Sequence, residues 1–249
     1  MATLRILTAN LWNGGADPDA LAELLEHHRV DVAAFQELAP EQVTAVERVL
    51  PHGRLEPHRA HLGMGIALRH PGEVRRLALP CRDARLVRLE PDHWPVGEAG
   101  LEILNVHIMG FHVWPWLESL RIRRAQLRGV LAYLEATPGH PRVLVGDLNA
   151  TPGMGVHRQL RAHLDDAAAL AARRARRRPA PTWGPLPGSP RLLRIDHVLC
   201  RAVRVHRVEV VTVPGADHSG VLAEVEPTPG VPARAGGAAA LQAAATPSR

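Results

Sequence analysis

Arg142-Val143-Leu144-Val145-Gly146-Asp147-Leu148-Asn149 is the stretch on which the reading of this chain turns. Arg142 to Val145 reads as a buried strand, and Gly146 to Asn149 ends it. An apolar run that stops on a carboxylate and an amide sets those groups at a sheet mouth, where loops gather into sites. Asp147 and Asn149 are two apart, so an extended backbone would project both to the same side.

The same arrangement recurs along the chain. Leu4 to Asn10 alternates as a strand and ends on an amide. Asp31 to Glu37 is a short apolar strand ending in Gln36-Glu37, and Leu101 to His107 ends on an imidazole. Asp196 lies within a strand expected over Leu192–Cys200, and Asp217-His218 stands at the mouth of the last strand, Gly220–Val225. Val203–Val213 is the strand between those two. Gly63–Arg69 and Val74–Leu79 read as strands joined by the His70-Pro71-Gly72 turn, and Ala84–Glu90 pairs with Leu101–His107 across a loop at Pro95–Gly100.

Helices fill the gaps. Asp17-Pro18 is a cap followed by proline at the first helical position, and Pro40 opens a second helix through Leu50. The longest runs from about Pro115 to Ala136, with Leu117, Leu120, Leu127, Leu131 and Leu134 expected to pack one side against the core. One or two more occupy Val156–Arg177, before a Pro/Gly-rich loop over Pro179–Pro190. The outcome is a single α/β domain over residues 1–226 and a disordered Pro/Gly/Ala-rich tail over 227–249.

Composition narrows the chemistry. In 249 residues every basic side chain is arginine, which excludes a P-loop lysine and a Schiff-base lysine. The net charge of +5 is compatible with a polyanionic ligand, although an all-arginine, alanine-rich composition also fits a GC-rich genome. No run is long and apolar enough to span a bilayer, and the N-terminus does not read as a secretory signal, so a cytoplasmic monomer is expected. Cys81 and Cys200 are expected as reduced, buried thiols. The sequence has no His-Glu-x-x-His, Cys-x-x-Cys or Gly-x-Ser-x-Gly motif, which leaves zinc and serine hydrolases weakly supported. A set of carboxylates and amides at strand ends is instead a hard-oxygen site suited to Mg²⁺, with Mn²⁺ as the alternative.

The ordered segments Thr8-Ala9-Asn10-Leu11-Trp12, Gln36-Glu37, Gly63 to Pro71, Asn105-Val106-His107, Gly146-Asp147-Leu148-Asn149-Ala150-Thr151-Pro152, Arg194-Ile195-Asp196-His197-Val198 and Ala216-Asp217-His218-Ser219 resemble the endonuclease/exonuclease/phosphatase family over about residues 3 to 226. The resemblance implies a four-layer α/β sandwich, two mainly antiparallel sheets packed face to face and flanked by helices. It implies a metal-dependent phosphoesterase acting on nucleic acid, a phospholipid or a small phosphate ester. The alternative is a catalytically silent binding domain on the same fold. By resemblance, Asn10, Glu37 and Asp217 fall at metal-binding positions. Asp147 and Asn149 match the pair that positions or activates water. His218 matches the histidine at the phosphoryl oxygens, Asp196 the aspartate that orients it, and His107 a second histidine of the deoxyribonuclease and sphingomyelinase branches. The substrate arginine falls among Arg82, Arg85 and Arg88, with Arg82 and Arg85 the leading candidates. A central tyrosine found in many members has no counterpart, because the sole tyrosine, Tyr133, sits on the long helix.

Two surface features remain. Arg173-Arg174-Ala175-Arg176-Arg177-Arg178 reads as a solvated helix end, with a nucleic-acid track beside Trp183 as the second reading. Phe111, Trp114 and Trp116 are expected to cap the core under the long helix; exposed, they would grip a base or meet a membrane interface.

Overall fold

The structure is a computed structural model that describes residues 3–111 and 113–228. Its elements in chain order are β1 (Leu4–Asn10), α1 (Pro18–His27), β2 (Val32–Gln36), α2 (Pro40–Val49), β3 (His52–Glu56), β4 (Met64–Leu68), β5 (Val74–Leu77), β6 (Ala84–Leu89), β7 (Leu101–His107), α3 (Trp116–Ala136), β8 (Arg142–Asp147), α4 (Gly155–Leu160), β9 (Asp165–Asp166), α5 (Ala167–Arg174), β10 (Asp196–Arg201), β11 (Val203–Thr212) and β12 (Ser219–Pro227).

The strands form two six-stranded sheets, ordered β11-β12-β1-β2-β4-β3 and β5-β6-β7-β8-β10-β9. Each has one parallel pair near its middle, β1 with β2 and β7 with β8, and is otherwise antiparallel. Apolar side chains from the inner faces, among them Ile6, Val32, Ile66, Val87, Ile103, Val145, Val198 and Val225, make one core between the sheets. The outer face of the second sheet packs Leu104, Leu144 and Leu199 against Leu127, Val130 and Leu134 of α3. The outer face of the first packs Leu7, Ala33 and Phe35 against Leu21 and Leu25 of α1 and Val46 of α2. This is a helix–sheet–sheet–helix sandwich.

Register carries the strand ends to one edge. Asn10 stands beside Gln36, and His107 beside Asp147. Asp196, at the start of β10, faces Asp147. β12 runs antiparallel to β1, so the Asp217-His218 segment before it arrives at the same edge. Gly146 is required there: a Cβ would meet the Val106 carbonyl at 1.8 Å.

Several expectations change. The strands on either side of His70-Pro71-Gly72 are present but not paired with one another, because β4 belongs to one sheet and β5 to the other. β4 pairs instead with β2 and with β3, and β3 is absent from the sequence reading because His52-Gly53-Arg54 carries no apolar alternation. On α3 the buried face includes Ser119, Arg123 and Gln126, while Leu117 is exposed. Cys200 is buried but Cys81 is exposed. At the C-terminus, Pro227 pairs with Val203 and the Thr228 amide donates to the Ala202 carbonyl at 3.0 Å, so the last strand extends past the expected boundary. The rest of the expected tail, 229–249, lies outside the described residues.

At the far end of the second sheet, Arg142 is fully buried. Its guanidinium pairs with Glu102 and donates to Thr137 Oγ1 at 2.7 Å, and Tyr133 donates to Glu102 Oε2 at 2.5 Å. The only tyrosine is thus a structural partner. Removing one member of a buried pair leaves an uncompensated charge. Glu102→Ala is expected to lower unfolding free energy by about 3–5 kcal/mol in urea denaturation; a loss below about 1 kcal/mol, the range of an exposed pair, contradicts this.

Candidate active site

Asp147 is buried at the end of β8, and its carboxylate is held from several sides. Asn10 Nδ2 donates to Oδ2 at 3.2 Å, and Asn149 donates from its backbone to Oδ1 at 2.7 Å and from Nδ2 to Oδ2 at 3.1 Å. His107 Nε2 lies 3.4 Å from Oδ2. The backbone is not extended across this motif, as Asn149 is left-handed at φ 46°. Asparagine tolerates that region, and the bend folds its amide back onto Asp147. Burial alone would raise the Asp147 carboxyl, but the His107 hydrogen bond and the His218 charge outweigh it and hold it well below the usual range.

His218 stands opposite. Its Nδ1 is 2.9 Å from Asp196 Oδ2, while Nε2 is 4.0 Å from both Asp147 Oδ2 and Asp217 Oδ1. Burial disfavours the imidazolium, yet Asp196, Asp147 and Asp217 raise the pKa to about 10. Burial also pushes the Asp196 carboxyl up, against the His218 charge and hydrogen bond that favour its ionised form. His107 goes the other way: burial and the nearby Arg82 guanidinium lower it.

Glu37 follows β2 at φ 53°, receives Asn10 Nδ2 at 3.3 Å and contacts His61 Nδ1 at 2.5 Å. Asp217 accepts from Trp183 Nε1 at 3.2 Å, but its other oxygen is buried without a hydrogen-bond partner. Burial, with Glu37 adding to it, raises the Asp217 carboxyl. An orphaned carboxylate oxygen beside Glu37 and Asp147 makes a set of hard donors that fits a Mg²⁺-like cation; Asn10 turns its Nδ2 to those carboxylates and accepts the Trp12 amide on Oδ1 at 3.0 Å, so it would join as a ligand with its amide turned over.

All of these groups but Asn10 and Asp196, which stand behind it, line one cleft of about 580 Å³. Its floor is polar, with Glu37, Asp147, Asn149, Asp217, His107 and His218. Its walls carry Trp12, Met109, Phe111, Val113, Trp183 and Ile195. Arg82 enters it with Nε and Nη1 buried and unpartnered. Arg85 does not. It pairs with Glu56 and donates to the Asp83 carbonyl at 2.8 Å, because the β6 alternation turns it between the sheets. Arg88 is taken up by His140, Ala99 and Glu90.

The loops bearing these groups are gripped from behind by side chains that the sequence reading did not single out. Arg123 Nη1 donates to the Met109 carbonyl at 2.6 Å and to Leu148 at 3.2 Å, and Nη2 to Asn149 at 3.0 Å. Gln126 accepts from the Met109 amide at 2.8 Å and donates to Pro80 at 2.9 Å. Together they fix the segments after His107, after Asp147 and before Arg82. Arg191 does the same for the Asp217 loop, reaching the Asp217 carbonyl at 2.6 Å and Ala216 at 3.1 Å. Beneath the floor Gln36 Nε2 donates to Asn105 Oδ1 at 2.7 Å, a polar bridge between the sheets. The available signal was polar residues at helical spacing among leucines: Ser119, Arg123 and Gln126 share the buried face of α3.

A second buried cluster, His157, Asp166 and His197, lies apart from the cleft. Asp166 is occupied by Arg194 at 2.7 Å, His157 at 3.0 Å and the Ala169 amide at 3.0 Å, while His197 Nε2 meets the Ala150 carbonyl at 2.8 Å. It is a bracket for the loop after Asn149.

The family model for the endonuclease/exonuclease/phosphatase family matches residues 7–220. The chain belongs to that family of metal-dependent phosphoesterases. No curated protein matches the sequence. Among solved structures, zebrafish (D. rerio) TDP2 in complex with single-strand DNA product has 16% identity and a TM-score of 0.70, covering 91% of this chain and 100% of the other. A mannosyl-6-phosphatase from Bacteroides thetaiotaomicron has 16% identity and a TM-score of 0.66, covering 89% and 99%. The human nocturnin catalytic domain with bound sulfate has 16% identity and a TM-score of 0.64, covering 90% and 94%. At these identities the likeness is one of fold.

Displacement of a reacting group by about 1 Å can cost roughly 10²-fold in rate. Arg123→Met is expected to reduce any phosphoesterase turnover by about that factor while keeping its circular dichroism spectrum, and Arg123→Lys, which keeps a cationic donor, to recover part of it. Full turnover in folded Arg123→Met contradicts the positioning role.

Proposed function

We propose that this protein is a Mg²⁺-dependent phosphoesterase, with Mn²⁺ able to substitute, that uses water to cleave a phosphate ester. The observation that carries the reading is His218, held by Asp196 on one nitrogen and aimed with the other between Asp147 and Asp217.

Glu37, Asp217 and Asn10 would hold the cation, which supplies Lewis acidity to a phosphoryl oxygen when bound. Asp147 and Asn149 orient the attacking water. Asp147, on the cleft floor, accepts a hydrogen bond from the water to fix its direction and takes up its proton as the new P–O bond forms. The ester P–O bond breaks, and the leaving oxygen is protonated from solvent or from His218. The His218 imidazolium faces developing negative charge on the phosphoryl oxygens. His107 offers a neutral ring to the same site, and Arg82 presents its free N–H groups to the anionic substrate. Trp12 and Trp183 in the walls favour an ester with a bulky apolar or aromatic group next to the phosphate.

Release of nitrophenolate from bis(p-nitrophenyl) phosphate and p-nitrophenyl phosphate, with Mg²⁺ or with chelator, tests the assignment. Turnover in Mg²⁺ that chelator abolishes and added metal restores is expected. No turnover of any phosphate ester would leave the fold as a binding domain.

Asp196→Asn and His218→Ala are each expected to lower turnover by roughly 10²–10⁴-fold, and the double variant to resemble the worse single one. Multiplicative losses, with a lowered melting temperature for Asp196→Asn, would make Asp196 a structural residue.

A further inference from the structure

Ile108 and Met109 are buried, but Phe111, Trp114 and Trp116 do not cap the core under α3. Phe111 is 50% exposed, Trp114 79%, Trp116 51% and Leu117 57%. Val113 is exposed too, and Phe111 and Val113 also line the cleft, so this apolar tip stands at its mouth. Exposed tryptophans clustered with aliphatic side chains cost free energy in water and mark a contact surface.

The helix that follows says what kind. Leu117, Arg121, Arg124 and Arg128 recur at intervals of four, three and four, so they share one stripe of α3. All four are exposed. The stripe extends about 16 Å from the tip at the helical rise. The opposite face of the same helix is buried and includes Arg123, whose charge is spent on the loop carbonyls, so the three outer arginines have no part in the fold's interior.

We propose that this tip and stripe form a peripheral docking surface for an anionic lipid bilayer, set so that a docked molecule presents its cleft mouth to the headgroup layer. Tryptophan and phenylalanine settle at the interface between headgroups and chains, and arginines beside them are drawn to anionic lipid. Charge complementarity favours this occupant, since the chain carries a net +5 and the stripe concentrates it next to the apolar tip. Single-stranded nucleic acid would also meet arginines, but it stacks on flat aromatic faces. The tip instead mixes aromatic with aliphatic side chains, and Leu193, on the cleft lining, is exposed as well. The docking surface is independent of the phosphoesterase reading; that reading enters only in making headgroup phosphate esters the substrates within reach.

Vesicle co-sedimentation in chelator, where no hydrolysis occurs, tests docking by itself. The intact protein is expected to pellet with phosphatidylcholine vesicles containing phosphatidylglycerol, and more weakly with phosphatidylcholine alone. Trp114→Ala/Trp116→Ala and Arg121→Glu/Arg124→Glu/Arg128→Glu should each lower the partition coefficient roughly tenfold or more. A charge-matched control, Arg173→Glu/Arg177→Glu/Arg178→Glu, should change it much less. Absence of pelleting, or an equal loss in the control, overturns the proposal. So does a tip or stripe variant that keeps its vesicle binding and loses affinity for single-stranded DNA.

Discussion

A carboxylate buried at the end of a strand must be met by donors, and Asp147 imposes that demand on the whole molecule. Its partners come from the ends of β1 and β7 and from the turn after β8, and His218 reaches toward it from the segment before β12. Two central parallel pairs, one per sheet, make this convergence geometrically available. In a parallel pair the carboxyl ends lie side by side, and packing the two sheets face to face brings both sets of ends to one edge. The rest of the sandwich serves to hold that edge.

The hold is polar as much as apolar. Apolar cores fix the layers, but a loop cannot be positioned to fractions of an ångström by strand pairing that has already ended. Arg123 and Arg191 solve this by donating several hydrogen bonds each to loop carbonyls. An arginine suits the task because its planar fork offers five donors and stays charged when buried. A chain whose basic residues are all arginine has spent several of them inside rather than on a ligand.

Much of this was legible in the sequence. Carboxylates and amides that terminate apolar runs, as in Gly146-Asp147-Leu148-Asn149, mark a sheet mouth without reference to any fold, and the ordered motifs gave the family and the four layers. What escaped was set by tertiary context. β3 has exposed polar residues because it is an edge strand, so it lacks the periodicity of a buried one. Strands flanking a tight turn need not pair when the turn crosses between sheets. Arg85 stands among the candidate arginines in the sequence, and only the facing first sheet, with Glu56 at the end of β3, shows that this residue meets a partner within the protein. Leucine spacing on α3 suggested a uniform apolar stripe, whereas the loops behind the helix require Arg123 and Gln126 on the buried face and leave Leu117 outside.

On the proposed reading the cleft binds a divalent cation through Glu37, Asp217 and Asn10, and the second cluster around Asp166 is a structural bracket. Direct titration of the metal-free protein with Mn²⁺, followed by electron paramagnetic resonance, tests this without any substrate. Saturable binding that Glu37→Gln weakens roughly tenfold or more, the range expected for a lost ligand, and that Asp166→Asn leaves unchanged is the predicted result. Binding insensitive to Glu37→Gln but lost in a folded Asp166→Asn variant would contradict the account.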